Sequence, residues 1–340
     1  MPSLLTTVRR LPALLPPATS RRWLRGVLLA NLAGQVLIVL SGGIVRLSGS
    51  GLGCPTFPQC VPGSYIPVVT QPQGFHKFIE FGNRMLTFVL TVLAVAALVA
   101  VWRYVRAGQA ARRLRLLGAV PIIGVFAQAL IGGISVLTQL NPTVVAIHFL
   151  VSMVLIAGST VLLLVAVPSS GPSGPIDDVV SPLVRWLAAG LAVMTVPMLA
   201  LGTVVTGSGP HSGDANDPNR FSFDIQVVAR LHSGSVWVFT ILLVALLLVL
   251  RRTGGRPAVG QRARVLLGLT LAQGVVGYVQ YALGVPIGLV AVHMLGASLM
   301  VVMVTATGYA VFSRVRVGTP SGESGLIALD SQAEGVPTRA

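Results

Sequence analysis

Two stretches of equal length, QALIGGISVLTQLNPTVVAIH (128–148) and QGVVGYVQYALGVPIGLVAVH (273–293), decide the fold. In each, a Gln is followed four residues on by Gly (Gln128 with Gly132, Gln273 with Gly277), and a His (His148, His293) stands 20 residues after the Gln. Each stretch leaves one apolar run and enters the next. The repeated unit is therefore a pair of long hydrophobic segments rather than a short motif.

Working outward, runs of roughly 20 apolar residues, the length a helix needs to cross about 30 Å of hydrocarbon, fall near 26–46, 75–101, 116–138, 143–167, 186–206, 223–250, 265–283 and 286–312. The reading is an all-α polytopic membrane protein with eight transmembrane helices. With 54% hydrophobic residues, 10% charged residues and a mean hydropathy of +0.83, the chain is no soluble enzyme, disordered chain or disulfide scaffold. A net charge of +15 would suit nucleic acid, but the basic residues sit in short clusters between apolar runs without interleaved aromatics. No nucleic-acid partner is expected.

The charge is topological. With the N-terminus inside, 19 of the 24 Lys and Arg lie on inner segments, which places a multi-pass chain in the cell membrane with both termini cytoplasmic. Residues 1–25, holding Arg9, Arg10, Arg21, Arg22 and Arg25, read as a cytoplasmic tail before a retained anchor, since no small-residue cleavage site follows the first span. Five basic residues fall outside: Arg46, Lys77, Arg84, Arg220 and Arg230.

The Pro, Gly and Ser-rich segment 168–185 reads as a cytoplasmic linker between two halves, 26–167 and 186–312, with 313–340 a disordered cytoplasmic tail. The ends of spans one and five also match, VRLSGSG (45–51) against TVVTGSG (203–209). Four spans per half make both halves cross in the same sense. The expected architecture is two tandem four-helix bundles related by a pseudo-twofold axis along the membrane normal.

His148, His232 and His293 lie on even-numbered spans at a common depth, roughly 8–14 Å in from the outer helix ends at 1.5 Å per residue. Ionisable groups at that depth are costly and usually functional. One such His alone could simply bond a neighbouring helix. Three in a layer point to haem iron, with His232 and His293 as facing axial ligands in the second half. Small residues alongside (Gly274, Gly277, Ser233, Gly234, Gly296, Ala297) would let a flat macrocycle approach.

The first half departs from this pattern. Aligning spans two and six sets Asn83 opposite His232, so His148 lacks an imidazole partner; Glu80 lies one turn outward of Asn83 and His76 one turn further, all on one helical face. A carboxylate beside an iron site with an open position reads as catalytic, so the first half is the reactive site and the second a saturated one. Glu80→Gln is expected to be milder than Glu80→Ala if the residue is structural, and nearly as damaging if it handles protons. Arg84 and Arg230, with Arg46 closing span one, are placed to meet haem propionates, the alternative being snorkelling to the interface. Cys54 and Cys60 share the first outer loop, where oxidising conditions allow a disulfide, either as a staple or as a redox pair. His211 lies in the next outer loop, solvated or bordering the second haem.

The strings GGIVRLSGSGLGCPTFPQC (42–60), IEFGNR (79–84), VTGSGPHSGD (205–214), RLHS (230–233) and VHMLGA (292–297), with the two repeated stretches above, resemble the haem A synthase family over nearly the whole transmembrane region. The resemblance implies oxidation of the C8 methyl of haem O to a formyl group, giving the haem A of cytochrome oxidase. It implies haem O and haem A as substrate and product in the first half and a haem b in the second. It gives the family's carboxylate role to Glu80 and its His roles to His148, His232 and His293. Many members have His where Asn83 stands, so either His148 alone ligates the substrate haem or His76 reaches in from about 10 Å outward; the former is favoured. Expected partners are membrane lipid, an electron-transfer partner of unknown identity, haem O synthase by resemblance, and further copies of the chain. The competing reading is a diheme b-type electron carrier without substrate chemistry, against which Glu80 and Asn83 speak. A transporter fits the parallel repeat but not a His layer near one face.

Overall fold

The computed structural model describes residues 21–104, 109–167, 180–214, 219–254 and 256–313. The described residues form eight α-helices and no β-strand: α1 (Arg21–Leu47), α2 (His76–Tyr104), α3 (Gln109–Leu137), α4 (Pro142–Ala166), α5 (Pro182–Ser208), α6 (Ile225–Thr253), α7 (Pro257–Ala282) and α8 (Ile287–Phe312). All eight are long and apolar enough to cross a membrane. The protein is a multi-pass membrane protein.

Helix starts on the inner side lie earlier than hydropathy places them. α1 begins at Arg21 rather than 26, α3 at Gln109 rather than 116, and α7 at Pro257 rather than 265. An apolar count stops at the first arginines, whereas backbone hydrogen bonding continues through them while the side chains reach outward. Arg256 and Arg262 reach α8: Arg256 Nη1 donates to the carbonyls of Ala310 (3.2 Å) and Ser313 (2.9 Å), and Arg262 Nη1 to that of Ala306 (2.7 Å). They meet carbonyl oxygens at the negative end of that helix. Most of the linker, 168–179, the tail from 314 on and residues 1–20 lie outside the described residues.

Starts elsewhere follow ordinary capping chemistry. Asn141 accepts from the Thr143 amide (3.0 Å) with Pro142 as first helical residue, and Asp224 accepts from the amides of Gln226 (2.7 Å) and Val227 (3.2 Å). The repeat extends to backbone geometry. Between α3 and α4, Gln139 and Leu140 have φ of 50° and 56°; between α7 and α8, Gly284 and Val285 have 73° and 61°. Leu140 N–H donates to Ser135 O (2.8 Å) and Val285 N–H to Gln280 O (2.7 Å), the same six-residue closure at positions 145 apart.

Helices α1 to α4 contact one another in a ring, as do α5 to α8, and the halves meet where α1 and α4 pack on α8 and α4 touches α5. Leu24, Leu28, Ala97, Val101 and Leu162 form a fully buried inner end in the first half, and Leu246, Val259, Ala263 and Leu266 do so in the second. Leu32, Val36, Met153, Ile156 and Val301 join the halves. The outer half of each ring is where the packing opens.

Candidate functional site

That opening is a cavity of about 1090 Å³ lined by residues of both halves, His148, His232 and His293 among them. It exceeds the roughly 300–1,000 Å³ usual for a single small-molecule pocket. The three imidazoles are mounted alike: each leans on a glycine of the preceding helix. A Cβ would lie 3.3 Å from His148 Cε1 at Gly132, 3.2 Å from His232 Cε1 at Gly202, and 3.5 Å from His293 Cε1 at Gly277. At Gly132 and Gly202 a side chain would crowd the ring, whereas at Gly277 it would make ordinary contact.

In the second half the rings of His232 and His293 stand 6.4 Å apart between centroids, with planes at 78°. Two imidazoles sharing one metal ion, each nitrogen about 2 Å away, have centroids about 6 Å apart, so the spacing fits an axial pair. His232 Nδ1 lies 3.0 Å from the Met198 carbonyl, which can only accept, so Nδ1 carries the proton and Nε2 keeps its lone pair. Among the described residues no group of three or more His, Cys, Asp or Glu could hold a bare ion. The donor set suits a metal that brings its own equatorial nitrogens, and Ser233, Gly274 and Ala297 line the cavity beside it.

In the first half His148 faces the same cavity, its backbone carbonyl accepting from Gln128 Nε2 (3.0 Å), which also bonds Ser152 Oγ. Asn83 stands on the cavity wall with its Oδ1 accepting from Ser41 Oγ (2.7 Å). His76 is exposed at the start of α2, with Nδ1 2.8 Å from Ser50 Oγ, and is not part of the cavity lining.

Glu80 lines the cavity and is 5% exposed. Its Oε2 accepts from the Cys54 amide (2.6 Å) and its Oε1 from Arg84 Nη2 (2.6 Å) and Nε (3.1 Å). Arg84 also donates to the carbonyls of Cys54 (2.8 Å), Thr56 (3.0 Å) and Gln59 (3.2 Å). Glu80 and Arg84 thus clamp the loop that the Cys54–Cys60 disulfide closes, whose cysteines are fully buried. Gln71 adds a bond to the Gly53 carbonyl.

Four of the five outer basic residues bind loop carbonyls. Besides Arg84, Arg46 donates to His211 O (2.8 Å) and Thr206 O (3.1 Å), Lys77 to Val68 O (2.7 Å) and Val69 O (3.2 Å), and Arg220 to Pro210 O (3.0 Å). Arg230 is exposed, and its side chain makes no hydrogen bond or ion pair among the described residues. His211 ties loops together, its Nε2 2.9 Å from Val285 O. Sequence reasoning missed this carbonyl-binding role, for which the only signal was an excess of cations beside Gly and Pro-rich loops. It also missed Phe57, which lines the cavity from the disulfide loop.

The sequence profile of the family described as cytochrome oxidase assembly protein, COX15-CtaA, matches residues 22–305. A heme A synthase of Lysinibacillus sphaericus is 29% identical over 185 residues, 54% of this chain and 58% of that protein. One from Bacillus pumilus is 35% identical over 131 residues, 38% and 40% of the two chains, and one from Symbiobacterium thermophilum 34% over 193 residues, 55% and 60%. The chain spans about half the length of these curated relatives.

Proposed function

The chain belongs to the cytochrome oxidase assembly protein family COX15-CtaA, and from that premise we propose that it is a haem A synthase, oxidising the C8 methyl of haem O to a formyl group in two successive two-electron steps. The observation that carries the proposal is the asymmetry of two otherwise matching sites. His232 and His293 face each other at 6.4 Å, while His148 faces a wall whose matching position is Asn83, engaged with Ser41. A carrier has reason to saturate both irons; an enzyme needs one open side.

On this reading His232 and His293 hold a haem b, which supplies a one-electron relay when bound. His148 holds the iron of the substrate haem O, and the glycine faces beside it admit the macrocycle. Each step adds one water to the methyl carbon and releases two protons and two electrons, Glu80 taking a proton and the electron-transfer partner the electrons, so that the methyl becomes an alcohol and then a gem-diol that loses water to leave the aldehyde. Arg84 keeps the carboxylate in place by its paired bonds, and the disulfide loop excludes bulk water above it. Arg230 is the exposed cation available to a propionate, with Arg46 and Arg84 lining the cavity as fixed positive charge. Both termini lie in the cytoplasm, and the partners are haem O synthase, an electron-transfer protein and further copies of the chain.

The test is the haem extracted from the purified protein. Haem O with the hydroxylated intermediate or haem A, alongside haem b, is the expected set. Haem b alone, from cells that make haem O, would replace the enzyme by a diheme electron carrier.

A further inference from the structure

A haem bound in this cavity must get in, and the inner end is packed while hydrogen bonds tie loops together at the outer end. On the outer side Gly51 N–H donates to Gly213 O (2.9 Å), Arg46 binds Thr206 O and His211 O, and His211 meets Val285 O, so the loops of the two halves are tied together. On the inner side Leu24, Val101 and Leu162, and in the second half Leu246, Val259 and Leu266, are fully buried. The passage left to a rigid macrocycle is sideways, between helices.

Certain cavity-lining side chains are also widely exposed: Phe88 of α2 (65%), Trp237 of α6 (57%) and Tyr278 of α7 (57%). In the second half Trp237 Nε1–H donates to the Tyr278 hydroxyl (3.2 Å), a bond between two helix-borne aromatics across the α6–α7 seam. The register of the repeat identifies their counterparts. Positions 83 and 232 are 149 apart, as are 88 and 237; positions 128 and 273 are 145 apart, as are 133 and 278. The first half therefore has Phe88 and Gly133, which cannot form that bond.

Gly133 is instead covered by Phe57. A Cβ there would meet three Phe57 ring carbons at 2.5–2.7 Å, so the ring lies against bare backbone at the point where Tyr278 carries its side chain in the other half. Phe57 sits on the Cys54–Cys60 loop, not on a helix, and that loop is held to α2 by Glu80 and Arg84.

We propose that the α2–α3 seam is the lateral portal of the first-half site, that it admits a porphyrin bearing a long apolar chain from the bilayer, and that Phe57 is its removable stopper. The Trp237–Tyr278 bond closes the equivalent seam of the second half around a group that stays. The difference follows from use: a substrate must pass at every turnover, a cofactor once. The inference rests on the reading of the first half as a substrate site.

The experiment follows uptake of haem O from phospholipid donor vesicles into full-length protein in nanodiscs, by stopped-flow absorbance and without turnover. Phe57→Ala is expected to accelerate uptake at least fivefold and Phe57→Trp to slow it comparably, both keeping the low-spin spectrum of the second half, which reports folding. Trp237→Leu is expected to leave this rate unchanged. Unaltered uptake in both Phe57 variants overturns the portal; if Phe57→Ala does not fold, Phe57→Trp decides alone. Failure of the wild-type first half to bind haem O overturns the substrate-site reading itself, a result distinct from altered kinetics.

Discussion

At position 80 one carboxylate accepts from the Cys54 amide and from Arg84 together, and this changes what an amide substitution reports. Gln is the milder replacement only if the residue is structural, because it keeps size and hydrogen bonding. With donors on both oxygens, its NH2 must face one of them, leaving a buried donor unmet at about 1–3 kcal/mol. Glu80→Gln is therefore expected to lower thermal stability while keeping the second-half haem spectrum and accumulating haem O. Arg84→Ala loosens the same loop without removing the carboxylate. Haem A production that survives in Arg84→Ala but fails in Glu80→Gln assigns proton handling to Glu80, and near-normal haem A from Glu80→Gln sinks that assignment. The glycines behind the imidazoles give a second residue-scale prediction. Gly202→Ala places a Cβ 3.2 Å from His232 Cε1 and must shift the ring, whereas Gly277→Ala, at 3.5 Å from His293, is ordinary contact. The first is expected to weaken the low-spin electron paramagnetic resonance signal and the second to leave it; equal signals in both would show that ring placement does not depend on these contacts.

Among the elements, the outer loop between α1 and α2 departs most from its sequence description. In sequence it is an outer loop with two cysteines, yet its carbonyls are held by Arg84 and Lys77 and its cysteines are fully buried. Closing a loop this short by a disulfide is worth about 2 kcal/mol in the chain-entropy account. Maleimide labelling of intact cells is expected to leave Cys54 and Cys60 unmodified until a reductant is added. Ready labelling without reductant would mean that the pair is reduced at steady state and acts in redox chemistry rather than as a staple.

Across the whole molecule, the halves are joined by apolar packing of α1 and α4 on α8, by the contact of α4 with α5, by the Gly51–Gly213 backbone bond, and by Arg46, which leaves the end of α1 to bind carbonyls at the end of α5 and in the loop beyond. Hydrogen bonds from a charged donor are worth about 1.5–3 kcal/mol each. Arg46→Met is therefore expected to reduce stability by about 3 kcal/mol or more and to broaden the thermal transition in detergent as the outer ends of the halves separate. An unchanged melting profile would assign the junction to the other contacts alone. Eight spans, their repeat in two halves and the layer of three histidines were all legible in the chain, because hydrophobic length and the spacing of rare polar residues are local and periodic properties. The loop carbonyls that Arg46 and Arg84 bind illustrate what was not: a lone cation beside a loop looks the same in sequence whether or not it meets a carbonyl. Which partner it meets depends on where two distant loops come to rest, as does the choice of Phe57 to cover Gly133. Those pairings join positions tens to hundreds of residues apart, and only the packing of α1 and α4 on α8 and of α2 against α3 in the folded chain decides them.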